Sequence, residues 1–260
     1  MNPAAWGRHP LVRIPSLVVG GLLTVALLAG ATFAVANVLV RTTETDATTL
    51  TGEVRRAVVH VTGSVEITTG PVDRVEIARR STFGITRPRI SETLDDGLLT
   101  VRVECVGGAS TMCTNRVELV VPAAVSITID ALGVDVADVE GDVEIESGAG
   151  SVDLDRLAGE VAVSVGGGSV HGRELRSPRV RASAGAGSVD LGFVTAPEDV
   201  EATSGAGSVV VELPPGEAAY RVDADAGAGS DTVTVKTDQT SDRLIRANAG
   251  AGSVQVRYRP

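Results

Sequence analysis

Lysine is nearly missing from this chain of 260 residues: Lys236 stands alone, and almost all positive charge is arginine. Aromatic residues make up 2% of the chain, histidines number three and cysteines two. Each scarcity excludes something. A phosphate-binding loop requires Gly-Lys-Ser/Thr, and Lys236 follows Val235. Sugar-binding platforms use exposed aromatic rings. Beyond the N-terminal region only Phe83, Phe193, Tyr220 and Tyr258 remain, and both tyrosines have inward strand parity. A serine nucleophile needs a base, yet the histidines are His9, His60 and His171, and no G-x-S-x-G is written. Two thiols cannot close a zinc site alone, and the C-x-x-C spacing of redox dithiols is absent. Long helical periodicity is also missing from residue 53 onward.

Charge is distributed unevenly. Up to Val40 the only strong charges are Arg8 and Arg13; the rest holds 21 Lys+Arg against 33 Asp+Glu, a balance of −12. Such a body repels phosphate backbones, so no nucleic acid partner is expected. Residues 14–40 carry no charge, and about 20 helical residues cross a hydrocarbon core. The favoured reading is a single N-terminal transmembrane helix with residues 1–13 as a short cytoplasmic N-terminus. The membrane would then be a partner through that helix. The alternative is a cleaved signal peptide, because Ala34-Val35-Ala36 has the small-x-small form of a cleavage site. Val38-Leu39-Val40 extends the apolar run past that site and favours the anchor. Both readings place the body on the extracytoplasmic side of the cell membrane.

Residues 41–52, polar and threonine-rich, read as an extended linker. Residues 53–125 read as a β-rich first part, with alternation at Val59/Val61, Val65/Ile67, Val75/Ile77, Leu99/Val101/Val103 and Val117/Leu119/Val121. Cys105 and Cys113 flank a loop between two such stretches, where a disulfide would staple a hairpin in an oxidising compartment.

From residue 126 to 260 one phrase recurs: SGAGSVDL, VGGGSVHG, AGAGSVDL, SGAGSVVV, AGAGSDTV and AGAGSVQV. Its first glycines are Gly148, Gly166, Gly185, Gly205, Gly227 and Gly250, at spacings of 18, 19, 20, 22 and 23. Its second glycines are Gly150, Gly168, Gly187, Gly207, Gly229 and Gly252, each followed by a serine: Ser151, Ser169, Ser188, Ser208, Ser230 and Ser253. A repeat of this period is the mark of an all-β parallel solenoid, β-helix-like, with coils of about 18–23 residues stacked one on the next. The glycines are expected to turn sharp corners and the serines to share hydrogen bonds along the stack. At the fifth corner Asp231 holds the place of an inward valine, with Val233 two residues later, which predicts a bulge or wider turn.

The outward positions offer little chemistry. Asp135, Asp138, Asp142, Asp153 and Asp155 gather near the first coils, where a weak Ca²⁺ competes with the simpler reading of solvated carboxylates. The calcium β-roll needs a shorter period with an aspartate in every loop, which this chain lacks. His171 falls in an outward slot between Asp153 and Asp190, the positions an active site would use if one existed. No catalytic residue, metal or cofactor is expected.

An N-terminal apolar segment, a cysteine-bearing hairpin, a VELVVP strand and recurrent SGAGSV coils resemble the bacterial "putative adhesin" β-strand-repeat family of unknown function, over most of residues 50–260. The resemblance implies a right-handed parallel solenoid at the cell envelope and carries over no catalytic residues. The expectation is therefore a non-enzymatic, membrane-anchored, adhesin-like binding or scaffold protein with an envelope protein or polysaccharide as partner. The alternatives are a self-associating homo-oligomer of the envelope and, less favoured, a polysaccharide-acting β-helix enzyme.

Overall fold

Alternation of apolar and polar residues becomes strand along nearly all of the body. The computed structural model describes residues 21–28, 41–71, 73–106 and 113–259. Nineteen strands join in one mostly parallel sheet, a β-solenoid-like fold. Of the apolar segment 14–40, only residues 21–28 are described, and they are helical. Among the described residues no helix is long and apolar enough to cross a membrane.

The stack begins before the regular repeats. β2 (Arg56–Thr69) and β7 (Ser126–Ala137) pair in parallel, and each bends at a corner to serve two faces. On the other side of β2, its first half pairs with β5 (Leu98–Glu104) and its second half with β6 (Thr114–Val121). The next coils are each split by a glycine corner. They are β8 (Val143–Ala149) with β9 (Val152–Asp155), β10 (Val161–Gly167) with β11 (Val170–Leu175), β12 (Arg179–Ala186) with β13 (Val189–Phe193), and β14 (Asp199–Ala206) with β15 (Val209–Leu213). Valines stack on valines: Val161 lies in register with Val143 below and Val180 above. One contiguous core runs through the stack, from Val59 and Val101 to Val254 and Val256. Parallel strands covered by their own second face read as near-continuous Val and Ala at alternate positions, which is how so few aromatics suffice.

The stretch 41–52, expected to be a linker, is instead a strand. β1 (Thr42–Thr51) pairs antiparallel along its whole length with β3 (Arg74–Phe83), which pairs with β6. Threonine's branched side chain suits a pleated edge, and its polarity is not evidence against a strand there. On the other face β4 (Arg89–Asp95) pairs antiparallel with β5. β1 and β4 thus cap the N-terminal end of the solenoid, with Leu50 and Leu94 packed on the core.

The coils at the other end do not stack in chain order, contrary to the simple sequence expectation. β18 (Leu244–Ala251) and β19 (Val254–Tyr258) pair with β14 and β15 on one side. On their other side they pair with β16 (Arg221–Ala228) and β17 (Asp231–Val233). The last coil in sequence is therefore the last but one in space. The long spacings of 22 and 23 residues now have a cause. One connection must climb two coils and the next must return by one, and strands lie about 4.8 Å apart. The expected bulge at the fifth corner is absent: Asp231 pairs with Val254 and Val233 with Val256, with no shift of register. Asp231 tolerates an inward place because this coil is outermost and all of β17 is exposed. An inward charge at a sheet edge also discourages further pairing.

Cys105 and Cys113 form a disulfide, with a Cα–Cα distance of 5.9 Å. It joins the end of β5 to the start of β6, which both lie on β2. Buried Asn115 donates through Nδ2 to the Thr62 carbonyl at 2.9 Å and lies 3.3 Å from Cys105 Sγ. The Cys105→Ser/Cys113→Ser variant is expected to lose about 2 to 3 kcal/mol of unfolding free energy, the chain-entropy value for a short loop. Urea denaturation checks this, and an unchanged midpoint would mean that the pair carries no stability.

Candidate functional site

The two glycine columns form the most regular feature of the molecule. In spatial order the first runs Gly148, Gly166, Gly185, Gly205, Gly250 and Gly227. A Cβ at Gly166 would lie 2.6 Å from the Gly148 carbonyl oxygen, and one at Gly185 2.5 Å from that of Gly166. The second column runs Gly150, Gly168, Gly187, Gly207, Gly252 and Gly229, and is tighter. A Cβ at Gly187 would lie 1.9 Å from the Gly168 oxygen, and Gly187 also holds φ at +139°. Close approach and left-handed backbone together leave no room for a side chain.

Serines knit this corner. The Ser188 amide donates to Ser169 Oγ at 3.1 Å and the Ser208 amide to Ser188 Oγ at 3.2 Å. Ser208 and Ser253 share a hydroxyl contact of 3.1 Å, consistent with the inserted last coil. Ser151 and Ser230 take part through their carbonyls, which accept from the Val134 and Val254 amides. A second set, not anticipated from sequence, points inward just before the corner. Ser147 Oγ donates to the Leu132 carbonyl at 2.8 Å and Ser204 Oγ to the Gly187 carbonyl at 2.7 Å. Through these contacts the corner serines tie neighbouring coils together. Among the described residues no hydroxyl hydrogen-bonds to His60 or His171.

Asp153, His171 and Asp190 do come together, in register on β9, β11 and β13. His171 Nδ1 lies 3.3 Å from Asp190 Oδ2, with both side chains about two-fifths exposed. They edge a groove of about 720 Å³ whose lining also includes Arg173, Glu174, Glu212 and Arg257. Charges there mostly cancel in pairs, such as Arg257 with Glu212 at 2.7 Å. His60 and Asp130 make a similar pair at 3.6 Å on the other face. Among the described residues no group of three His, Cys, Asp or Glu side chains is placed to hold a metal ion. Asp135 and Asp153 face the same way on adjacent strands. Desolvation, and then the Asp153 carboxylate, push the Asp135 carboxyl up.

A third corner escaped the sequence reading. Asp138, Arg156 and Glu174 repeat every 18 residues with φ of 64°, 53° and 51°. Asp138 accepts from Arg156 Nε at 2.6 Å and Nη2 at 2.9 Å, and Asp155 also contacts Arg156. The Arg156 guanidinium, chiefly by this hydrogen bonding, holds the Asp138 carboxyl below the usual carboxylate range. A depressed folded pKa contributes stability above the unfolded value, and that stability is lost as pH falls through the folded value. Carbon-detected NMR titration of Asp138 is therefore expected to give a midpoint below that of a free aspartate, returning upward in Arg156→Gln. An ordinary midpoint in the native chain would contradict the pairing.

One outward column largely alternates in sign. Glu144, Ala162, Arg181, Glu201, Arg246 and Asp223 lie in register on six neighbouring strands. Arg181 lies 3.7 Å from Glu201, and Arg246 3.6 Å from Asp199. Arg179 contacts Glu160 on one side and lies 3.6 Å from Glu198 on the other. The face is extended and charge-patterned, with a depression of about 270 Å³ around Ala162.

No protein-family model and no curated protein matches the chain. Solved structures do match in fold. A putative adhesin from Bacteroides fragilis NCTC 9343 is 13% identical, with a TM-score of 0.52, covering 83% of this chain and 97% of that one. A putative cell adhesion protein from Clostridium sporogenes ATCC 15579 is 13% identical with a TM-score of 0.41, covering 84% of this chain and 100% of that one. A putative adhesin from Parabacteroides merdae ATCC 43184 is 12% identical with a TM-score of 0.44, covering 82% of this chain and 96% of that one. At such identity the Bacteroides structure bears on the fold alone: this chain shares the overall architecture of that solved bacterial protein.

Proposed function

We propose that the chain is a non-enzymatic, adhesin-like binding or scaffold protein of the cell envelope. Residues 14–40 tether it to the cytoplasmic membrane and the solenoid stands outside. The observation that carries this reading is the register of the outward columns. From Glu144 to Asp223 six strands present one row of side chains over about 24 Å. A long partner, a polysaccharide or an extended protein segment, meets such a surface at many weak points, none of which needs a deep pocket. The disulfide agrees with an oxidising location, and the Bacteroides fold neighbour is itself described as a "putative adhesin". The test is capture by the tagged full-length chain from intact, cross-linked envelopes. The reading predicts an enriched envelope component, lost when Arg181 and Arg246 are both changed to Glu. Enrichment of nothing above an untagged control would overturn it.

Self-association is a second reading, favoured by one observation: β16 and β17 are an outer edge, paired on one side only. Light scattering of the full-length chain in detergent would show concentration-dependent mass under this reading and a constant monomer otherwise.

A further inference from the structure

The C-terminal coil occupies a slot. Leu244–Tyr258 lies between two coils that precede it in the chain, and hydrogen-bonds to both. A solenoid wound in order adds each coil to a free end. Here the last coil stands between β14–β15 and β16–β17, and it is the strand partner on which β16 and β17 lie.

The slot selects its occupant. A Cβ at Gly250 would lie 2.7 Å from the Gly205 oxygen, and one at Gly252 would collide with the Gly207 oxygen. On the other wall, a Cβ at Gly229 would collide with the Gly252 oxygen. Only a coil with glycine at both corner positions fits between these walls. The polar rim adds charge complementarity. Arg257 of the insert meets Glu212 at 2.7 Å, and Arg246 meets Asp199 at 3.6 Å. Inside, Ile245, Ala247, Val254 and Val256 of the insert are fully buried. Every one of these contacts is between the insert and the slot. None depends on the covalent connection through residues 234–243.

That connection is polar and folded back on itself. Asp238 Oδ1 accepts from the Thr240 amide at 2.8 Å and hydroxyl at 2.7 Å, and Ser241 Oγ donates to the Ala219 carbonyl at 2.8 Å. The connection also touches the insert, through the Thr234 amide to the Val256 carbonyl at 2.9 Å and the Lys236 amide to the Tyr258 hydroxyl at 3.0 Å, so opening the turn at 238–241 leaves the ladder and rim contacts between the insert and its walls in place.

We propose that the slot between β14–β15 and β16–β17 takes the C-terminal coil of a second copy of this chain as well as its own, linking copies by reciprocal coil exchange. Exchange conserves the whole insert–slot interface and changes only the hinge, which is why swapped elements are a low-cost route to dimers. Tethering in one membrane would raise the effective concentration of the second insert. The proposal rests on the self-association reading and gives it a specific mechanism, distinct from docking of the β16–β17 edge.

Thr203 on β14 and Asn248 on β18 are direct register partners on the outward face, so they report slot occupancy. Two differently tagged full-length copies, one Thr203→Cys and the other Asn248→Cys, are co-expressed and oxidised in membranes. The native cysteines are already paired with each other and do not compete. The expected result is a covalent heterodimer on a non-reducing gel, absent when the first copy carries Thr203→Ser. Its yield should rise severalfold when residues 238–240 are deleted to shorten the hinge. The double variant in a single chain confirms that the site can close. If it closes within monomers while the separate copies give no heterodimer in either background, exchange is wrong. Light-scattering dimers without the cross-link would overturn exchange while sparing self-association. A strict monomer by both methods would remove both.

Discussion

Gly187→Ala is expected to destabilise the solenoid by about 4 kcal/mol or more, enough to lower the thermal midpoint by roughly 8 to 16 °C. The reason is geometric. The new Cβ would sit 1.9 Å from the Gly168 oxygen and 2.5 Å from its carbon, against backbone that is itself held in the ladder. Relief requires parting two coils in the middle of the stack, which lengthens ladder bonds such as that from the Gly168 amide to the Ala186 carbonyl, now 2.8 Å. The left-handed φ adds a further penalty of about 1 to 2 kcal/mol. The matched control is Gly167→Ala, in the coil below. Nothing lies within 4 Å of its Cβ, and the corresponding residue in the next coil is Ala186. Alanine there is expected to stabilise the chain by about 0.4 to 1 kcal/mol, because it restricts the unfolded chain without strain. Equal effects from the two substitutions, measured by urea and thermal denaturation, would contradict the stacking argument.

The second large effect is at the N-terminal cap. Arg79 on β3 and Glu92 on β4 approach to 2.9 Å with side chains only about one-tenth exposed. The contact is an ion pair whose N–H is not aligned on the oxygen as a hydrogen bond. It bridges the two faces of the sheet where the apolar core ends. Arg79→Leu alone leaves Glu92 charged and unpaired in a place poor in water, at an expected cost of about 3 to 5 kcal/mol. Arg79→Leu with Glu92→Leu removes both charges and should restore stability to near or above that of the parent, by the same reasoning. A double-mutant cycle reads the coupling directly. Purely additive losses would show that the pair does not act as one.

How much of this was legible in the chain follows from what each signal encodes. Side-chain parity reports which face a residue takes, so the inward rows at Val161/Val163/Val165 and Val189/Leu191 could be read and are buried. Glycine spacing reports that corners recur. Neither signal encodes the order of coils in space, because every coil carries nearly the same phrase and any coil could lie on any other. The spacings of 22 and 23 held the clue, since crossing an extra level needs extra chain, but drift in a repeat has other causes. Threonines at 42–51 read as a linker by their polarity, whereas their β-branching is what suits them to an edge strand. Arg79 follows the inward parity of Val75 and Ile77, and an inward charge with no visible partner is the one sequence hint of the cap pair. Its partner Glu92 lies on a strand whose pairing cannot be read from local pattern. Asp138, Arg156 and Glu174 share a left-handed backbone that glycine usually marks, and none of them is glycine.

The order of the final coils is the claim on which most of this depends, and alanine methyls report it directly. Ala247 lies between Ala202 and Ala224 in register on the inward face. With alanine methyls selectively labelled, NOEs are predicted from Ala247 to both Ala202 and Ala224, and none between Ala202 and Ala224, about two strand spacings or ~9.6 Å apart. A strong Ala202–Ala224 NOE without one from Ala202 to Ala247 would mean that the coils stack in chain order after all.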